Sequence, residues 1–150
     1  MLERRLNDNE TLELVTEAYD AFSKGDLEPM LAMLASDVDW HSPGPTNVPI
    51  FGHWEGPSGV REYFTTLHEQ IEHEQFEAKE YIVSRDTVVV LLYVRARVRA
   101  TGRHYGHDAV HVLRLRDRQI VHRHAFSDTA QVMLAFNPPG GLAGKPSNSS

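Results

Sequence analysis

Apolar residues follow a helical repeat in the first half of the chain and a two-residue repeat in the second. Leu12, Val15, Tyr19 and Phe22 recur at helical spacing and give the first helix one apolar stripe. Asn7 followed three residues later by Glu10 predicts the start of that helix, and Gly25 supplies its left-handed stop. Asp26 is placed to cap a second helix, on which Leu27, Met30, Leu31 and Leu34 face inward. Residues 37–42 read as a short strand closed by Pro43 and Gly44. The loop over 45–54 carries two prolines and aromatic residues, a composition found in lids over pockets. Pro57 opens a third helix, with Val60, Phe64, Leu67 and Ile71 along it.

Beyond residue 73 the period becomes two. Stretches 76–83, 87–100, 104–116 and 119–127 predict four consecutive strands, with connections short enough for hairpins. Two of them exceed ten residues, and strands that long must twist, so the sheet is expected to curl into a half-cone. Asp128 then opens a short helix through Phe136. Helices followed by an antiparallel meander make an α+β chain: a strongly curved, cone-shaped sheet with three N-terminal helices enclosing an apolar pocket. Residues 1–137 read as one domain and 138–150, rich in Gly, Pro and Ser, as a flexible tail.

Charge and composition narrow the function. A net charge of −6 argues against a nucleic-acid partner, and no apolar run is long enough to cross a membrane. The absence of cysteine excludes disulfides and thiolate metal sites and fits a reducing cytoplasm, and residues 1–8 carry no apolar core of the signal-peptide kind. Nine histidines raise the question of a metal, with His104, His107 and His111 in one stretch and His122 and His124 in another. On a strand His107 and His111 share a face and His104 points away, while no Glu stands at ligand spacing in this half. Exposed surface histidines are the simpler expectation, and neither metal nor cofactor is expected.

The order of the motifs is specific. A helix ending in Lys24-Gly25-Asp26, a run into Asp37-Val-Asp-Trp40, a Gly/Pro-rich loop and Val60-Arg-Glu-Tyr-Phe64 resemble the nuclear transport factor 2-like superfamily, most closely its SnoaL-like branch of cyclases and isomerases. The resemblance implies a small cofactor-independent enzyme of isomerase, cyclase or hydrolase type, acting on a hydrophobic carbonyl or epoxide compound. The alternative is a non-catalytic domain of the same fold that binds a small molecule or a protein. It also implies a homodimer formed through the outer sheet face, where Arg95, Arg97 and Arg99 alternate with apolar residues. The catalytic base of the related ketosteroid isomerases falls at Ser42, their oxyanion tyrosine at Ala18 and their protonated Asp at His111. All three differ, so steroid isomerisation is not expected.

Asp128 stands where relatives of the cyclase and epoxide-hydrolase types place an acid/base Asp, and is the leading catalytic candidate. The partner Asp of the epoxide relay would lie near 95–97, where only arginines stand. Asp128 followed by Gln131 is equally a helix cap. His111, on one face with Ala109, Leu113 and Leu115, is a candidate to polarise a carbonyl, or else a buried histidine bonded to Tyr19. Trp40, Tyr19, Ser42, Trp54 and Phe64 complete the candidate substrate wall.

Overall fold

The computed structural model describes residues 6–139. Helix α1 (Asp8–Ser23) begins at Asn7, whose side chain accepts the Glu10 N–H while the Glu10 carboxylate accepts the Asn7 N–H. It ends on Gly25 at φ +88°, with Asp26 N–H bonded to Ala21 O and Gly25 N–H to Phe22 O, the pairing of a Schellman cap. Asp26 Oδ1 accepts the Glu28 N–H, but the cap position of α2 (Glu28–Ala32) is Leu27, which makes no side-chain cap bond.

A six-stranded sheet follows in the order β2-β1-β6-β5-β4-β3. Strand β1 spans Leu34–Ser42 and β2 spans Gly52–Glu55. Helix α3 (Gly56–Gln70) leads straight into β3 (Ile71–Ser84), followed by β4 (Thr87–Val98), β5 (His104–Arg116), β6 (Gln119–Phe126) and a closing helix α4 (Thr129–Phe136). Bulges in β3, in β6 and between β1 and β6 interrupt the ladders, and the sheet curls without closing. The α+β cone with its N-terminal helices is therefore present.

Several boundaries correct the sequence pattern. Leu34, assigned to the second helix by its spacing, begins β1 opposite Ile120, and the Ile120 N–H bonds Met33 O at 2.7 Å. Ile71 opens a strand rather than ending a helix, pairing with Val98. The loop over 45–54 closes with β2, too short a run to register as a strand by alternation. The strands at 87 and 119 stop at Val98 and Phe126, two and one residues earlier than expected. The proposed tail lies almost wholly outside the described residues.

The core lies between the concave sheet face and helices α1 to α3. Val38, Val60, Val88, Val90, Val98 and Leu113 are fully buried there, each worth about 1.5–3 kcal/mol of transfer free energy. The parity is as predicted: Ala109, His111, Leu113 and Leu115 face inward, and His104 points outward to bond Glu74 at 2.9 Å. Arg95 and Arg97 lie on the outer face, paired with Glu74 and Glu72.

Candidate active site

Inside the cone lies a cavity of about 80 Å³, counted as volume open to the centres of water-sized molecules. One water needs about 10–15 Å³ on that measure, so there is room for a compact ligand. The walls are largely aromatic, with Tyr19 and Phe22 from α1, Tyr63 and Phe64 from α3, Trp40 from β1 and Tyr105 from β5. Phe51 and Ile50 join them from the loop before β2.

At the centre of this apolar wall sits a guanidinium. Arg123 of β6 is 4% exposed, in register beside Trp40 and across from Leu113. Its Nη1 donates to Ser42 Oγ at 2.6 Å, and its Nη2 lies 3.5 Å from Tyr63 Oη and 3.3 Å from His111 Nε2. The guanidinium carbon stands 4.5 Å over the Trp40 ring and 5.4 Å from that of Tyr63. Every one of these partners is neutral. Among the described residues no carboxylate pairs with Arg123, and the cavity lining contains neither Asp nor Glu. Burying a charge without a counter-ion costs several kcal/mol, which marks the position as special.

Arg123 also fixes the proton positions around it. A guanidinium can only donate, so the His111 Nε2 that faces it carries the lone pair. The single proton of the neutral ring is then on Nδ1 and donates to the Tyr19 hydroxyl oxygen, 2.7 Å away. That leaves the Tyr19 O–H free to donate. Burial, and secondarily the charge of Arg123, hold His111 well below the usual histidine range, which keeps the ring neutral. Burial raises the Tyr19 phenol far above its ordinary value, so it remains a donor. Two further donors, Arg123 Nε and Trp40 Nε1, are buried with no acceptor among the described residues. The arrangement is thus rich in donors and poor in acceptors.

His107, four residues before His111 on β5, lines the same cavity and is 8% exposed. Its Nδ1 lies 2.9 Å from Asp108 O and must donate there, which leaves the lone pair on Nε2. His73 of β3 also lines the cavity, its pKa pushed down to about 4 by burial.

Of the residues singled out from sequence, Tyr19, Trp40, Ser42, Phe64 and His111 come together at the cavity. Trp54 is half-buried behind it, with its ring 4.8 Å from that of Tyr63. Asp128 is exposed and lies outside the lining. Its carboxylate caps α4, accepting the Gln131 N–H at 3.2 Å and the Gln131 side-chain amide at 3.0 Å. Those bonds lower its pKa, with a smaller contribution from the nearby His107. Arg123 and Tyr63 were missed, and His107 was placed on the face of His111 but weighed only as a metal ligand. Strand parity alone sets Arg123 on the opposite face from His122 and His124, and that was the available signal.

A curled sheet closed by helices over an aromatic, donor-rich cavity defines a cone-shaped α+β pocket protein. A family model described as the SnoaL-like domain matches residues 15–123, and the chain belongs to that family. Among solved structures, an NTF2-like protein of unknown function from Burkholderia pseudomallei K96243 is 28% identical, with TM-score 0.78 over 88% of this chain and 99% of that one. TerC co-crystallised with polyporic acid is 22% identical, with TM-score 0.74, covering 84% of this chain and 97% of that one. A SnoaL-like polyketide cyclase structure from Mesorhizobium loti is 16% identical, with TM-score 0.66 over 77% and 97%. No curated protein matches the chain.

Proposed function

We propose that this protein is a small acid/base enzyme of the SnoaL-like type, needing no cofactor and acting on a planar, hydrophobic carbonyl compound that becomes an enolate or phenolate in the cavity. The observation that carries this reading is the buried guanidinium of Arg123, which has only neutral partners and an unpaired Nε. An anionic oxygen is the complement such a group lacks. Arg123 and the free O–H of Tyr19 would bind that oxygen, and His111 would hold Tyr19 in its donating orientation. Donors fixed in place before the charge develops are the most effective form of electrostatic catalysis. Trp40, Tyr63 and Phe64 would hold the ring system, with Ser42 keeping the guanidinium in place.

His107 is the base in this scheme, since its Nε2 carries the lone pair inside the cavity. Its backbone lies about 13 Å along β5 from that of His111, so a compact substrate would engage both ends of the site through a conjugated system that passes charge from the deprotonated carbon to the oxygen. Asp128 would act only through His107, its carboxylate offsetting the charge that ring takes up with a proton. A homodimer joined through the outer sheet face, in the cytoplasm, belongs to the same proposal.

The alternative is a binding protein without catalysis, favoured by the lining itself: among the described residues no carboxylate lines the cavity, and the imidazole touching Arg123 is a weak base. Matched pairs of ring compounds with and without an ionisable oxygen, together with polyporic acid, test both readings. Calorimetry should give tighter binding for the ionisable member of each pair, lost by about 100-fold in Arg123→Gln, as for a charge-assisted contact of 2–3 kcal/mol. Proton exchange of a bound carbonyl compound in D₂O, followed by NMR, then separates enzyme from binder. Exchange that His107→Gln abolishes supports the enzyme, and binding without exchange supports the binder. Equal affinity for both members of each pair would refute the anion site itself.

A further inference from the structure

The outer face of the strands that carry Trp40 and Arg123 presents a second cluster, which the cavity does not use. Antiparallel register sets Asp39 opposite Glu55 and His41 opposite His53 across β1 and β2. Parallel register sets Asp39 beside His122 and His41 beside His124 across β1 and β6. Six metal-ligating side chains thus form two rows on one face, Glu55-Asp39-His122 and His53-His41-His124.

We propose that Asp39, His53 and Glu55 form a binding site for a divalent transition-metal cation of the Zn²⁺ type. One ligand atom from each lies within 4.8 Å of the others. Asp39 Oδ1 meets His53 Nε2, and Asp39 Oδ2 meets His122 Nδ1 at 2.8 Å. Four-coordinate zinc with bonds of about 2.0–2.2 Å holds its donors about 3.4 Å apart, a spacing that falls within the span of these three atoms. An imidazole with two carboxylates is a donor set for first-row cations, and it leaves a fourth position for water. His122 supplies the outer hydrogen bond that orients a ligating carboxylate.

A second observation points the same way. Asp39 and Glu55 are directly opposite on paired strands, where like charges repel and destabilise the pairing. A cation between them reverses that sign. It would also fasten β2, only four residues long, to β1. Strand β2 follows the loop that carries Ile50 and Phe51 over the cavity, so the ion would steady the cavity's edge from outside.

The test uses the full chain without an affinity tag, stripped with chelator and titrated with ZnCl₂ in a calorimeter near neutral pH. One ion per chain is expected, with micromolar affinity and far weaker binding of Mg²⁺. His53→Ala and the near-isosteric Glu55→Gln should each weaken zinc binding at least about 10-fold, and His122→Ala should weaken it about 10- to 100-fold as an outer-shell change. His68→Ala, on α3, should leave it unchanged. Cooperative melting of each variant without metal establishes that it is folded. No saturable one-to-one binding up to millimolar zinc would overturn the proposal. So would unchanged affinity in both His53→Ala and Glu55→Gln, because the ion would then sit on other histidines.

Discussion

Lowering the pH should destabilise the fold in a window set chiefly by two imidazoles held neutral inside it. The more exposed His124, whose pKa partial burial and its neighbour His41 also lower, joins them. Burial pushes the pKa of His73 down to about 4, and burial followed by Arg123 holds that of His111 well below the usual range. In the unfolded chain both titrate near 6.5. Below that value the unfolded state takes up protons that the folded state refuses. The contribution is therefore complete above about pH 6.5 and is lost as pH falls toward each folded pKa. At about pH 5.5, one unit below the unfolded value, His73 withdraws about 1.4 kcal/mol, and His111 adds to the loss in the same direction. Against a domain stability of about 5–15 kcal/mol that is a readily measured change. His73 retains some solvent contact, so its share is an upper bound. Carboxylates whose pKa is lowered, Asp37, Asp39 and Asp128, lose their contribution only in a more acidic window, below their ordinary value of 3.8. Urea titrations in steps from about pH 7.5 to 4.5 give stability against pH, and the slope gives the protons taken up on unfolding. His73→Gln should flatten that slope by about one proton between pH 6.5 and 4. A slope identical to that of the unsubstituted protein would refute the assignment.

Tyr19→Phe removes the acceptor of the His111 Nδ1–H and leaves a buried donor unpaired, so urea unfolding should register a loss of about 1–3 kcal/mol. Loss under about 0.5 kcal/mol would mean that the ring finds another partner. Asp128→Ala should cost about 1 kcal/mol through the α4 cap, while Asp128→Asn keeps most of it, both seen in the same unfolding assay. If Asp128→Asn abolished proton exchange at unchanged stability while His107→Gln left it intact, Asp128 would regain a direct catalytic role. Gly44→Ala places a Cβ against the ring of Phe51, so Phe51 must leave its position on the cavity wall. Ligand affinity measured by calorimetry should change at a cost of about 1–3 kcal/mol in stability, as for overpacking.

The sequence determined by itself whatever rests on neighbours in the chain. The Asn7–Glu10 capping box, the Gly25 stop, Pro57 at the start of α3 and the alternation of β4 and β5 are interactions of residues a few positions apart, and periodicity reads them directly. It also set His111 on the apolar face and offered Tyr19 as its partner, 92 residues away. Tertiary structure alone decided which residues meet across long separations. The parallel pairing of β1 with β6 joins segments about 80 residues apart, and no local period encodes that register. That pairing brings Arg123 over Trp40 and against Ser42, and on the other face it gathers Asp39 with His122. Strand parity tells which residues share a face, but only the packing of helices on one side makes that face the inside. Asp128 illustrates the same limit, because its motif reads as either catalyst or cap until the cavity has a position. Its neighbours Ser127 and Val132 reach the cavity wall, while Asp128 itself was left at the surface, holding a helix end.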